Sequence, residues 1–261
     1  MNILVCLKMV SRATYTDMLC ADDASDDRLS GGAIEINPAD AYALETALKL
    51  KDRYGAYVTV LSMSPMLAEP MLRSALAMGA DEAVLVCDRI FVGSDTIATA
   101  KTLSAALKAL PRQDMIFCGS KAIDSETGHI GAQLAALNEL RYMGDVLAVN
   151  ELRDGRLCVK HAGKHGAEEY SLVLPAVFSI INGTGMIRSP TIFGLRSSAK
   201  REIRIMTGDT LHLTAEQAGK NASGTETVRI DRLSFAHRHG AYTDDVHDGV
   251  AGLAEMLECA K

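Results

Sequence analysis

The sequence has no excess of basic charge and no long apolar run. Its net charge is −6, which disfavours a phosphate backbone or an anionic membrane as the main partner. No stretch approaches the roughly 18 consecutive apolar residues of a membrane-spanning helix, and the opening ten residues are too short to predict a secretory signal. We therefore expect small molecules and other proteins as partners, with no nucleic acid and no membrane insertion.

Paired-cysteine motifs are also absent. The six cysteines form no CxxC pair, and four of them fall inside apolar runs that predict strands: Cys6, Cys87, Cys118 and Cys158. Buried free thiols are typical of a reducing compartment, so we expect a cytoplasmic protein. The acidic run at 22–27 lacks the glycine and glutamate spacing of a calcium loop and predicts a solvated loop. No metal site is indicated.

Two familiar phosphate-binding motifs are missing as well. No GxGxxG sequence opens the first predicted helix, and no Walker lysine motif occurs. The sequence also contains no convincing catalytic triad or carboxylate pair. We therefore predict no catalytic side chain, and Cys6 is expected to be a small core residue rather than a nucleophile.

Short apolar runs alternate with longer segments of helical period. This pattern predicts βαβ units around a parallel sheet. The predicted strands are 3–7, 57–61, 83–87, 115–118, 146–149 and 176–181. We predict an α/β fold with a doubly wound, mostly parallel, Rossmann-like sheet over residues 1–205.

Four helices are predicted between these strands. They cover about 38–54, 69–78, 95 onward and 130–140. In the first, Asn37 is an N-cap candidate and Pro38 occupies the first helical position. The third helix is expected to face the core through Ile97, Ala100, Leu103 and Leu107.

The later part of the chain has a different pattern. Asp154-Gly155 is a hairpin turn signal, and Leu157 and Val159 alternate in step with Tyr170 and Leu172, which predicts a β-hairpin attached to the sheet. Residues 206–261 lose this rhythm and end in an amphipathic helix at about 243–259. We predict that they form a C-terminal arm that packs on a partner subunit.

Polar residues follow several predicted strands at the points where the strands end. In a doubly wound sheet, ligands bind at these carboxyl ends, where the strand order reverses. The polar segments are 8–9, 62–65, 88–96 and 119–131. Backbone N–H groups and hydroxyls at two helix starts would suit a phosphate or a diphosphate.

The same residues also allow simpler interpretations. Ser94, Asp95 and Thr96 fit an N-cap and a first helical turn. Asp124 and Thr127 could cap the fourth helix in the same way. His129 is equally typical of a surface histidine.

The string at 37–45, NPADAYALE, opens the first predicted helix. It resembles the NP-x-D-x-YA-x-E block of electron-transferring flavoprotein beta subunits. The segment ALAMGAD at 75–81 and the AID at 122–124, which begins an adenine-nucleotide loop, resemble two further blocks of that family. The PAV at 175–177, followed by Arg188 and by Lys200-Arg201, is similar to the family's recognition-loop region. The resemblance covers most of residues 1–205 in the family's order.

The resemblance implies that an adenine-containing cofactor lies at the strand ends. The implied contacts are Cys6, Asn37, Pro38, Ala39, Asp40, Met63, Gly119, Ser120, Lys121, Ala122, Ile123, Asp124, Ser125, Glu126, Thr127, Gly128, His129 and Ile130. In ordinary electron carriers of the family, the beta subunit holds a structural AMP. In the electron-bifurcating branch it holds a second FAD, which takes a hydride from NADH.

Residues 88–99 favour the bifurcating branch. They read DRIFVGSDTIAT and resemble that branch's DR-x-F-x-G-x-DT-x-AT block. The resemblance implies that Thr96 and Thr99 lie against the FAD phosphates and that Asp95 belongs to the same site. A spacing of three places both hydroxyls on one face of the first helical turn. FAD is therefore the expected cofactor, with AMP as the alternative and NADH as the electron donor of that branch.

The resemblance also implies two protein partners. One is an electron-transferring flavoprotein alpha subunit, and the other is an acyl-CoA or related dehydrogenase that docks through the loop near Arg188 and Ile192. Ile192 is either an apolar anchor or an ordinary, partly buried loop residue. The chain departs from the family at His129, where glutamine is usual, and at 185–190, where GMIRSP replaces NEPRYP.

Two other functions stay open at this point. One is an ordinary electron-carrier subunit with AMP. The other is a stand-alone ATP- or AMP-binding protein similar to universal stress proteins or ATP pyrophosphatases, although the glycine-rich phosphate signatures of those proteins are absent.

Overall fold

The structure is a computed structural model, and it describes residues 1–11, 34–183, 185–226, 228 and 244–259. The chain divides into two compact units, residues 1–227 and residues 228–261. The acidic run at 22–27 and the predicted start of the last helix at Thr243 lie outside the described residues. The division into a nucleotide-binding domain and an arm at 205/206 stays a prediction.

A nine-stranded sheet forms the centre of the first unit, counted over the described residues. Its strands are β1 (Asn2–Cys6), β4 (Tyr57–Met63), β5 (Glu82–Val86), β6 (Met115–Gly119), β7 (Arg141–Arg153), β8 (Arg156–Gly163), β9 (Gly166–Val173), β10 (Ala176–Ile180) and β11 (Arg204–Met206). The order across the sheet is β11-β5-β4-β1-β6-β10-β7-β8-β9. Pairing is parallel from β11 to β7 and antiparallel from β7 to β9. The predicted mostly parallel, Rossmann-like fold is confirmed.

A separate antiparallel pair, β2 (Met9–Ser11) and β3 (Ile34–Ile36), lies outside this sheet. Sequence reasoning missed it because each strand has only three residues. The helices are α1 (Pro38–Tyr54), α2 (Glu69–Met78), α3 (Thr96–Lys108), α4 (Ile130–Leu137), α5 (Ile192–Ser198) and α6 (Val246–Cys259).

Helices cover both faces of the parallel part of the sheet. Leu44 of α1 and Leu72 of α2 pack in one buried cluster, and Leu103 of α3 and Leu134 of α4 pack in a second. Successive strand residues point to opposite faces, so Val5 belongs to the first cluster, whereas Leu4 and Cys6 belong to the second. Burial on both faces explains why the parallel strands are almost continuously apolar.

The predicted hairpin is part of a three-stranded antiparallel extension. Asp154 and Gly155 both have positive φ angles, 49° and 71°, as a two-residue hairpin turn requires. The register pairs Leu157 with Leu172 and Val159 with Tyr170, which confirms the predicted alternation. The strand before the turn is longer than predicted, because β7 runs through 13 residues and also pairs with β10.

Other predictions about the elements were wrong in detail. Helix α4 ends at Leu137 rather than near 140, because Glu139 takes a left-handed conformation with φ 54°. Ile97 is 42% exposed instead of facing the core, since the buried face of α3 runs through Ala98 and Leu103. The chain after residue 203 still contributes β11, whose three residues are too few to show a period.

Within the described residues, no helix combines the length and apolar character needed to cross a bilayer.

Candidate functional site

The sheet reverses its strand order at β1 and β6. From β1 the chain moves outward through β4 and β5, and it then returns to place β6 on the other side of β1. The carboxyl ends of β1 and β6, at Cys6 and Gly119, are therefore neighbours at one edge. This is the position where open α/β sheets bind ligands.

Asp40 joins these two strand ends. Its Oδ2 accepts a hydrogen bond from the backbone N–H of Lys8 at 2.7 Å, and its Oδ1 accepts one from Gly119 at 2.8 Å. A side chain at position 119 would overlap Asp40 and Ala39, so glycine lets the start of α1 approach β6. Burial raises the pKa of Asp40 to about 6, although these hydrogen bonds oppose the rise.

Asn37 fastens the loop that follows β6. It lies at the N-cap position of α1, but its side chain makes no capping hydrogen bond. Its Nδ2 donates to the carbonyl oxygen of Lys121 at 3.0 Å, and its Oδ1 accepts from the backbone N–H of Ile123 at 3.1 Å. The predicted N-cap position of Asn37 is therefore confirmed, but its side chain binds the distant loop rather than the first turn of α1.

An ion pair holds the middle of the same loop. The Nζ of Lys8 lies 2.6 Å from Oδ1 of Asp124, which also accepts from the Ser125 hydroxyl at 3.1 Å. The alternative in which Asp124 or Thr127 caps α4 was wrong, because exposed His129 takes the N-cap position. Asp124 thus connects the loop to the end of β1.

A cavity of about 490 Å³ opens beside this loop. Its lining residues are Ser120, Lys121, Glu126, Gly128, Tyr142, Asp145, Ser179, Ile181 and Asn182. The Tyr142 and Ser179 hydroxyls are 2.9 Å apart on its wall. Of the predicted contact residues, this cavity thus contains four from the loop, whereas Thr96 and Asp124 are not among its lining residues.

The start of α3 confirms the predicted N-cap. The Oδ1 of Asp95 accepts from the backbone N–H of Ala98 at 2.9 Å. Thr96 and Thr99 follow in the first turn and are half-buried. The Thr96 hydroxyl accepts from Nε2 of Gln133 in α4 at 3.2 Å, so the starts of α3 and α4 are held together. The role of the threonines toward phosphates stays a prediction.

Two other predicted contact residues, Cys6 and Met63, lie outside the cavity beside the loop. Cys6 is buried at the end of β1, and burial together with the nearby Asp40 carboxylate raises the pKa of its thiol to about 12. The thiol is therefore neutral and unsuited to act as a nucleophile. Met63 ends β4, on the far side of β1 from β6, and packs partly buried against the second cluster.

The predicted site residues did not include two residues that complete this arrangement. The backbone N–H of Lys8 donates to Asp40 and its side chain donates to Asp124; its position directly after the first predicted strand was the available signal. Gln133 bridges to Thr96 and lies four residues after His129, on the same helical face.

The loop predicted to dock a dehydrogenase is held against α1. Arg188 donates to both carboxylate oxygens of Glu45, at 2.9 and 3.2 Å, and to Asp52 at 2.7 Å. The bond to Glu45 raises the pKa of Arg188. Ile192 is 83% exposed, so the partly buried alternative for it was wrong, and Phe193 is 86% exposed beside it.

Comparison with known proteins identifies the family of this chain. Residues 30–203 match the electron transfer flavoprotein domain family. The chain is 36% identical over 259 residues to the electron transfer flavoprotein subunit beta of Thermoanaerobacterium thermosaccharolyticum, which covers 98% of each chain. It is 35% identical over 234 residues to the caffeyl-CoA reductase-Etf complex subunit CarD of Acetobacterium woodii, covering 88% of this chain and 87% of that relative.

A third relative matches over a shorter span. The acryloyl-CoA reductase electron transfer subunit gamma of Anaerotignum propionicum is 43% identical over 172 residues, which is 61% of this chain and 64% of that relative. The chain therefore belongs to the electron transfer flavoprotein family, and its similarity over nearly its whole length is to beta subunits of that family.

Proposed function

We propose that this chain is the beta subunit of a heterodimeric, electron-bifurcating flavoprotein, in which it binds FAD at the edge formed by β1, β6 and the starts of α3 and α4. The observation that carries the proposal is the bridge from Gln133 to Thr96. It joins the helix that follows the nucleotide loop to the helix whose threonines resemble the phosphate-contacting pair of the bifurcating branch.

The residues present fit a nucleotide cofactor. The cavity of about 490 Å³ beside the loop falls within the roughly 300–1,000 Å³ of typical small-molecule sites. Its wall offers the Ser120 hydroxyl and the Asn182 amide, which are suited to phosphate and ribose oxygens. The Lys121 ammonium on the same wall is paired with Glu126 at 2.9 Å. The left-handed Gly128, with φ 64°, lets the loop turn toward α4.

In this proposal the chain binds and orients, and it moves no proton by itself. A bound flavin supplies the hydride and one-electron chemistry. Asn37 and Lys8 hold the loop in shape through Ile123 and Asp124, and Thr96 and Thr99 present hydroxyl donors at the start of α3. The neutral Cys6 thiol adds no second negative charge beside Asp40.

The choice between FAD and AMP is tested by counting cofactors. The chain is co-expressed with its alpha subunit, and the purified heterodimer is analysed for flavin and for AMP after denaturation. Two FAD per heterodimer are expected, and NADH titration should bleach the flavin absorption. One FAD plus one AMP would replace the proposal with the ordinary carrier.

Alanine substitution tests the threonine pair. Thr96→Ala/Thr99→Ala should lower FAD occupancy of this subunit, because two hydroxyl donors to phosphate are lost. Thr46→Ala removes a helical hydroxyl that bonds to Tyr42 in α1 and serves as the control. Unchanged occupancy in the double variant would leave the pair without a role.

The partner surface is proposed at the start of α5. The exposed apolar side chains of Met186, Ile192 and Phe193 make up this proposed surface, which spans the loop of Arg188 and the first turn of α5. We expect it to dock an acyl-CoA or related dehydrogenase or reductase. The names of two relatives, which refer to caffeyl-CoA and acryloyl-CoA reductases, support this class.

The last helix supports contact with the alpha subunit. Its exposed apolar side chains include Val250, Leu253 and Leu257. They suit the packing of residues 206–261 on the alpha subunit.

The free cysteines support a cytoplasmic location. The family match favours an electron-transfer subunit over a stand-alone ATP-binding protein.

A further inference from the structure

The carboxylate of Asp95 holds two parts of the chain at once. Its Oδ1 accepts from Ala98 at the start of α3. Its Oδ2 accepts from the backbone N–H of Gly224 at 2.7 Å, and from the backbone N–H and the hydroxyl of Thr225 at 3.1 and 3.2 Å. Gly224, 129 positions later in the chain, is thereby held against the first turn of α3.

These four hydrogen bonds use most of the acceptor capacity of the carboxylate, with one on Oδ1 and three on Oδ2. An ionised carboxylate offers about four acceptor positions and no donor. Asp95 therefore has little left to offer to the hydroxyls or amides of a ligand, and its negative charge does not attract a phosphate. Burial would raise the pKa of Asp95, but the hydrogen bonds from Ala98, Gly224 and Thr225 outweigh it and lower the pKa.

The surrounding contacts fix the same segment. The backbone N–H of Asp95 donates to the Ser223 hydroxyl at 2.8 Å, and that hydroxyl contacts the carbonyl oxygens of Gly219 and Gly93. The backbone N–H of Lys220 donates to Val92 at 3.0 Å. A side chain at position 219 would overlap the carbonyl oxygen of Ile90, so the segment lies directly on the loop before α3.

We propose that Asp95 is a positioning residue rather than a cofactor contact: it fastens residues 223–225 over the first turn of α3 and so holds Thr96 and Thr99 in place for the nucleotide. This inference rests on the proposed function, because it assumes a phosphate-bearing ligand at the two threonines. It replaces the cofactor contact that the family resemblance implied for Asp95.

The two roles of Asp95 predict opposite effects of removing its charge. Asp95→Asn keeps the side-chain shape but removes one negative charge near the phosphates, so direct electrostatics would tighten nucleotide binding. Loss of the hydrogen bonds from Gly224 and Thr225 to Asp95, which we call the clamp, would weaken nucleotide binding. The reason is that an amide nitrogen would then face these donors. The sign of the change therefore separates the two effects.

The experiment uses the heterodimer with its alpha subunit. Hydrogen exchange at residues 219–226 and the rate of nucleotide release are measured for the wild type, Asp95→Asn, Thr225→Val and the double variant. Asp209→Asn, an exposed aspartate on a neighbouring turn, is the matched control. Thr225→Val removes only the hydroxyl contact, so it remains informative should Asp95→Asn fold poorly.

In Asp95→Asn, the backbone amide hydrogens of Gly224 and Thr225 should exchange at least about tenfold faster than in the wild type. Nucleotide release should be faster by a similar factor. Thr225→Val should shift both rates in the same direction but less. The double variant should fall short of the product of the single effects, as expected for residues in contact. Tighter or unchanged nucleotide binding in Asp95→Asn, or multiplicative single effects, would overturn the inference.

Failure of the proposed function would look different. A wild-type heterodimer with one FAD plus AMP would remove the FAD site, whichever way the Asp95 variants behave. The clamp would then be tested by hydrogen exchange at residues 219–226 and by the rate of AMP release in the Asp95 variants. If neither rate changed, the inference about Asp95 would be overturned.

Discussion

The side-chain oxygen of Asn37 accepts a hydrogen bond from the backbone N–H of Ile123 at 3.1 Å, across 86 residues of chain. The N-cap residue of α1 thereby sets the position of the loop after β6. Because Asn37 is almost fully buried, this contact cannot be exchanged for water without cost.

Asn37→Ala should destabilise the protein by about 1–3 kcal/mol, because the Ile123 N–H and the Lys121 carbonyl lose their partner. Nucleotide content should fall in parallel. Denaturant unfolding and cofactor analysis measure the two effects. Asn150→Ala, which removes an exposed amide contact to Glu169, is the control; equal losses in both variants would contradict the role of Asn37.

Asp40 should make stability depend on pH in an unusual direction. Burial raises its pKa to about 6 in the folded protein, from the ordinary value of 3.8 for the free side chain. The folded state therefore binds more protons between these values, so the contribution of Asp40 to stability decreases as pH rises from about 4 to about 6 and is constant above.

The difference in unfolding free energy between the wild type and Asp40→Asn should follow that decrease across pH 4–6. Carbon NMR of the Asp40 carboxyl group provides a second measurement and should titrate near pH 6. A midpoint below 4 would show that the two backbone hydrogen bonds, rather than burial, determine its pKa.

The ion pair between Arg188 and Glu45 should matter more than the one between Arg188 and Asp52. The Glu45 side chain is 7% exposed and that of Asp52 is 61% exposed. Glu45→Gln should cost about 2 kcal/mol, since a bond to a charged partner is lost in a dry environment. Asp52→Asn should cost less than about 1 kcal/mol. Thermal unfolding compares the matched pair, and a larger effect of Asp52→Asn would be the contrary result.

Ile192→Ser and Phe193→Ser should impair electron transfer without unfolding the protein. Both side chains are exposed, so stability should change by less than about 0.5 kcal/mol. If they anchor a dehydrogenase, the KM for an acyl-CoA dehydrogenase as redox partner should rise at least about tenfold. Leu67→Ser, at an exposed site elsewhere, is the control; a KM unchanged from the wild type would remove the patch from the docking surface.

Local sequence signals were sufficient for most of the elements. The N-cap Asp95, the range of α2 and the turn at Asp154-Gly155 were predicted because each depends on neighbouring residues. The end of α4 and strand β11 were not, since the left-handed Glu139 has no strong local signature and β11 exists only through its pairing with β5.

The sequence by itself determined the alternation of strands and helices, the apolar faces and the family, because these follow from periodicity and from strings of adjacent residues. Only the tertiary structure decided which distant backbone groups Asn37, Asp40 and Asp95 bind. These partners lie far away in the chain, and they are brought within reach by the way in which the chain folds around the sheet.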